Sequence, residues 1–220
     1  MSKEKEKPKY KDFIEEKSEM VKFLDAEQTK LAAKFGPIIA ALRENKHMTA
    51  KEIHDLYIDE ETKKHTYTIK TIYRYLEKLE ELDLVKNSGH RMIKGQRLPE
   101  KLYSRTADIF FKAEKKEIHP DIIEHQKKNL QGVFTVLEQV EGKPDIDYKI
   151  FEEVMLKRME LQQKYNREVT TKIPKNKILT DFYSTLHIDT VNYISDMVSE
   201  LLIFAKHPEL FEKLMKLYKN

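Results

Sequence analysis

The period of the apolar residues changes at Leu84, and that change limits the fold more than any other feature of the chain. Before it, apolar side chains recur at steps of three and four, the spacing of one face of an α-helix. From Ile69 they run through Ile72, Leu76, Leu79 and Leu82. After it comes LVKN, then SGHRMIKGQRLPEK, then LYSR. Gly89, Gly95 and Pro99 fall in the middle stretch, so the flanking runs read as two strands of a hairpin with a long tip. The 220 residues hold five glycines and seven prolines, too few reversals for an all-β fold. The expectation is a mainly α protein with one β hairpin.

Helix signals precede the hairpin. Residues 1–9 are mostly Lys and Glu and are expected to be disordered. Over residues 10–24, Phe13, Ile14, Met20, Val21 and Leu24 fit a short helix. A second helical stretch covers residues 25–45. Gly36 and Pro37 restart it, and Ile38, Ile39 and Leu42 form its buried stripe. Thr49 with Glu52 fits a capping box for a helix to about Tyr57, burying Ile53 and either Leu56 or Tyr57. Thr68 suits the N-cap of the helix that carries the stripe from Ile69.

Charge is segregated along the chain. Lys and Arg total 41 against 38 Asp and Glu, a net of +3. Between Leu84 and Thr106, however, Lys86, Arg91, Lys94, Arg97, Lys101 and Arg105 face Glu100 alone. The helix from Thr68 is graded as well. Thr66, Tyr67, Thr68, Lys70, Thr71, Arg74 and Tyr75 lie in or just before its first half, and Lys78 a turn later. Glu77, Glu80, Glu81 and Asp83 make its end acidic. A helix fits the major groove of DNA, and its N-terminal half is the part that approaches base edges. Arg74 is the candidate for a two-bond grip on guanine, and Lys70 and Thr71 suit base or backbone. In the hairpin, His90, Arg91, Lys94 and Arg97 are the candidates for backbone or minor-groove contacts.

The order helix, helix, helix, basic hairpin resembles the DNA-binding domain of prokaryotic winged-helix regulators of the ArsR-like group, archaeal members included. The likeness rests on TAKEI from Thr49, TIKTIYRYLEKL from Thr68, Leu84 with Val85, GHR from Gly89 and LYSRT from Leu102. It covers about residues 37–110, a third of the chain. It implies three helices plus a two-stranded β wing, followed by a C-terminal helical domain. The corresponding division is an arm and short helix over 1–24, a DNA-binding domain over 25–110, and a helical dimerisation or regulatory domain over 111–220. One departure is the polar connection over residues 59–65, where about ten residues separate the second helix from Thr68. A tight helix-turn-helix needs about 3–4.

A helix is expected over residues 107–116, and four or five amphipathic helices beyond it. Their stripes include Ile122, Leu130, Phe134, Leu137, then Phe151, Val154, Leu161, and later Val191, Ile194, Met197, Val198, Leu201, Leu202 and Phe204. The last set is apolar on more than one side, which suits either a buried central helix or a helix shared with another subunit; the favoured expectation is a homodimer reading a palindromic site. The chain has no cysteine, so disulfides, thiolate metal sites and cysteine nucleophiles are excluded. No histidine pair stands at metal-binding helical spacing with a carboxylate partner, so no metal and no cofactor are expected. No glycine-rich phosphate loop or nucleophile elbow is present, so no catalysed reaction is expected. No apolar run approaches the ~20 residues of a membrane span. The expectation is a cytoplasmic transcription regulator on double-stranded DNA, with any small-molecule effector unassigned. The alternatives are a protein-interaction module of the transcription machinery and a non-sequence-specific chromosomal binder.

Overall fold

The computed structural model describes residues 10–113, 120–141 and 147–216. Residues 1–9, the Gly142 to Pro144 break, the side chain of Ile122 and the end of the helix expected over 107–116 lie outside the described residues. The chain forms two compact units, Met1–Lys112 with Thr180–Ile188, and Ala113–Leu179 with Asp189–Asn220.

In chain order the first unit contains β1 (Tyr10–Ile14), β2 (Glu19–Leu24), α1 (Ala26–Lys34), α2 (Gly36–Asn45), β3 (Met48–Thr49) and α3 (Ala50–Asp55). Then come α4 (Ile69–Glu81), β4 (Val85–Ile93), β5 (Glu100–Arg105) and β6 (Ala107–Lys112). This is not the expected set of three helices and a two-stranded wing. The hairpin β4–β5 is the centre of a four-stranded sheet ordered β1-β4-β5-β3, and β2 and β6 form a second, parallel pair.

Two misread segments account for most of the difference, and the short β3, with Met48 opposite Tyr103 and Thr49 opposite Leu102, for the rest. Residues 10–24 are strands, not a helix. Their apolar spacing fits a helix, but Tyr, Phe, Ile and Val are also strand formers, and pairing decides between them. β1 lies antiparallel to β4, with Asp12 opposite Arg91, Phe13 opposite His90 and Ile14 opposite Gly89. Residues 107–112 are likewise a strand, with Ala107, Ile109, Phe110 and Phe111 all buried. A near-continuous apolar run is what a strand buried on both faces requires. Val21 lies opposite Ile109 and Phe23 opposite Phe111, whose rings stack 5.7 Å apart.

The local helix signals act as read. Pro37 stands in the first turn of α2, which buries Ile38, Ile39 and Leu42. Thr49 and Glu52 close a capping box on α3. Asp25 and Gln28, which the sequence reading did not single out, close another on α1. Ile38, Leu42, Ile53, Ile72, Leu76, Leu79, Leu84 and Phe110 belong to one core, with Tyr57 and Tyr75 packed on it. Ile53 is buried and Leu56 is exposed, so Tyr57 takes the inward position. The returning segment, Thr180–Ile188, joins this unit through Tyr183, whose ring lies 6.1 Å from Phe111, and through Ile188.

The second unit is helical. It is built from α5 (Pro120–Glu141), α6 (Tyr148–Lys172), the start of α7 (Lys177–Ser184), most of α8 (Ile188–Lys206) and α9 (Pro208–Lys216). Leu130 and Phe134 of α5 meet Phe151 of α6. Val154, Leu161 and Tyr165 of α6 meet Ile203 of α8 and Leu210 of α9. Arg158 pairs with Glu200, and Asn166 donates to Asp196 at 2.9 Å, which sets the α6–α8 register. Among the described residues, no helix is long and apolar enough to cross a membrane.

Candidate nucleic-acid interface

The surface begins with the loop that delivers the chain to α4. Asp59 closes a turn by accepting from the Thr62 amide at 2.7 Å and the Thr62 hydroxyl at 2.8 Å. Ile58 and His65 bridge across it, and the Thr66 amide donates to the Tyr57 carbonyl at 2.8 Å. The ten-residue connection is therefore a folded excursion that returns beside its own origin. The His54 ring bonds the Tyr67 carbonyl at 2.7 Å, which anchors the residue before the cap. Thr68 then caps α4, accepting from the Thr71 amide at 3.3 Å.

The buried stripe of α4 is Ile72, Leu76 and Leu79. Ile69 belongs to the expected stripe but is exposed. Lys70, Arg74 and Lys78 are exposed at four-residue steps, hence on one face. Among the described residues, no carboxylate lies within ion-pairing range of Lys70, Arg74, Lys78, Lys94 or Arg97. Some other cations of the unit are paired: Lys22 with Asp83, Lys51 with Glu100, and Lys86 with Glu16. Like charges at i and i+4 on one helix face repel one another.

The remaining candidates divide. Thr66, Tyr67 and Thr68 are exposed, whereas Thr71 is half-buried and bonds the Thr68 hydroxyl at 3.0 Å. Tyr75 is half-buried, its ring 4.8 Å from Phe35 and 5.7 Å from Tyr67. Tyr57 meets Tyr67 edge-on at 5.1 Å, and burial pushes the Tyr57 hydroxyl pKa up. Tyr75 thus braces the loop from inside, and its inward face is withdrawn from any ligand.

In the hairpin, Lys94 and Arg97 are exposed in the 94–99 tip, where Gly95 adopts a φ of 91°. His90 is not free: its Nδ1 lies 2.9 Å from a Glu15 oxygen and its ring stacks on Phe13. Arg91 requires a correction. It is 6% exposed, and its guanidinium is bound by Asp12 and Glu52 with the Tyr10 ring 3.9 Å above it. Hydrogen bonding to Asp12 raises its pKa, against the opposing effect of burial. β1 places that carboxylate opposite it, so Arg91 is withdrawn from the phosphate contact expected of it.

Two features escaped sequence reading. Tyr73 is 50% exposed on α4, one turn after Lys70, and the helical period alone would have placed it there. Donor atoms of His54, Asp55 and His65 lie within 4.8 Å of one another. The two rings stack in parallel at 3.7 Å, so their in-plane lone pairs do not converge on one point, and the cluster as arranged does not form a metal centre. His54 lies in α3 and His65 in the loop beyond it, so no period within one element links them.

No family model matches this chain, and comparison with curated proteins finds no match.

Proposed function

We propose that the chain is a DNA-binding transcription regulator that approaches the duplex with the exposed face of α4. The supporting observation is the row Lys70, Arg74 and Lys78, exposed and without carboxylate partners among the described residues, on a helix whose other side is core. Lysine and arginine on phosphates supply affinity and make it salt-dependent. Arg74 and Lys70, in the first half of the helix, supply base choice, and Lys94 and Arg97 at the hairpin tip add backbone contacts. The reading places the protein in the cytoplasm with its DNA, and it assigns no catalysis, metal or cofactor.

We further propose that it acts as a homodimer on a palindromic site. Tyr193, Met197, Leu201 and Phe204 of α8 are exposed at steps of four, four and three, a near-heptad seam. A second copy offering the same seam covers it.

The test is selection of bound fragments from random DNA, followed by binding measurements at two salt concentrations. Arg74→Ala and Lys70→Ala are expected to weaken the selected site about tenfold more than random DNA. Lys94→Ala and Arg97→Ala are expected to weaken both alike. Absence of any complex at low salt overturns the reading. For the dimer, sedimentation of Leu201→Glu should show a monomer where the parent chain shows two copies.

A further inference from the structure

The C-terminal end of α2 borders a cleft of about 250 Å³ within the first unit, lined by Arg43, Glu44, Lys46, Arg105, Asp108, Ser184 and Thr185. Arg105 is its buried cation. It is 7% exposed, its guanidinium lies 5.1 Å over the Phe110 ring, and it donates to the Asp108 main-chain carbonyl. No carboxylate lies within ion-pairing range of it among the described residues. Burial pulls its pKa down to about 10; the Asp108 charge opposes that fall and the Arg43 charge adds to it.

A buried cation without a carboxylate in ion-pairing contact is costly, and a second guanidinium close by adds repulsion. Arg43 has only a 3.7 Å approach to Glu44, whose side chain is 70% exposed. Lys46 has no ion pair among the described residues and sits at a φ of 54° where α2 ends. Three cations thus border the cleft against two carboxylates, Asp108 and Glu44. The Ser184 and Thr185 hydroxyls donate to the Asp181 and Phe182 carbonyls of α7, at 3.0 and 2.7 Å, so they shape the wall and the cations carry the charge. A fork of guanidinium donors is suited to the paired oxygens of a carboxylate or a phosphate.

We propose that this cleft binds a small oxyanion-bearing metabolite, a phosphate monoester or a short dicarboxylate, with Arg105 at its base and Arg43 and Lys46 at its mouth. Bound there, it ties α2, the β5–β6 junction and the 180–188 segment together, which makes it a site for an effector. The proposal stands apart from the DNA reading, since no residue of the cleft belongs to α4 or the hairpin tip.

The test titrates the full chain with inorganic phosphate and, separately, with succinate, at ionic strength held constant with chloride. Heat of binding and the thermal midpoint are followed. Saturable binding of phosphate alone assigns the phosphate class, saturable binding of succinate alone assigns the dicarboxylate class, and either supports the site. Lys46→Gly relieves the left-handed backbone, so the fold is retained while the charge is lost. It and Arg43→Gln are each expected to weaken the bound probe roughly 5–30-fold. No saturable binding of either probe, or unchanged affinity in both variants, overturns the proposal.

Discussion

Arg91 and Asp12 face each other across the β1–β4 pair in a two-bond fork, Nε to Oδ1 at 2.6 Å and Nη2 to Oδ2 at 2.8 Å. Glu52 completes the set from α3, so one guanidinium joins the N-terminal strand, the hairpin and a helix. Arg91→Ala leaves two carboxylates facing a half-buried space and is expected to destabilise by about 3–4 kcal/mol. Asp12→Ala leaves Arg91 its Glu52 partner and is expected to cost about 1–2 kcal/mol. Urea unfolding of both single variants and the double variant tests this. A coupling energy near zero would show that the pair adds nothing.

Gly89 holds β1 against β4 by having no side chain. Its φ is 145°, and a Cβ there would lie 2.0 Å from the Phe13 carbonyl oxygen. That neighbour is backbone, so it yields only if β1 moves away. Gly89→Ala is expected to cost about 3 kcal/mol and to abolish hydrogen-exchange protection in β1 while α2 and α4 keep theirs. Retained protection in β1 would contradict the close approach.

Glu52 does two jobs with two oxygens. Oε2 accepts from the Thr49 amide at 2.8 Å in the capping box, and Oε1 accepts from Arg91. Thr49→Ala removes the hydroxyl half of the box, which accepts from the Glu52 amide, and is expected to cost about 1 kcal/mol. Glu52→Ala removes the carboxylate half together with the Arg91 ion pair and should cost at least about 1 kcal/mol more. Equal midpoints in thermal unfolding would separate the ion pair from stability.

His47 links stability to pH. Burial lowers its pKa from 6.5, with Asp12 acting in the opposite sense, and its Nδ1 lies 2.9 Å from the Ser88 hydroxyl. Below pH 6.5 the unfolded chain takes up a proton that the folded chain resists. The contribution is therefore present above that pH and is lost as pH falls beneath it. His47→Gln should flatten the fall in unfolding free energy between about pH 6.5 and 5, relative to the parent chain. Parallel profiles would refute the assignment.

Much of what depends on neighbours three or four residues away was legible in the sequence. Thr49 with Glu52, Thr68, the Gly36-Pro37 restart and the stripe Ile72, Leu76 and Leu79 all act as read. A helix closes its hydrogen bonds within its own sequence, so caps and period carry its signal. The exposure of Lys70, Arg74 and Lys78 follows from the same period.

Tertiary structure alone decided the strands outside the β4–β5 hairpin and the fate of the charges. Residues 10–14 are a strand because residues 89–93 are there to pair with them, and residues 107–112 because 19–24 lie alongside. Strand hydrogen bonds are made to a distant partner, so the local apolar spacing of 10–24 fitted a helix equally well. Arg91 counted as surface charge in the sequence, yet Asp12, 79 positions away, neutralises it inside the fold. Charge can be summed along a chain, but whether a cation is free depends on which carboxylate folding brings within reach.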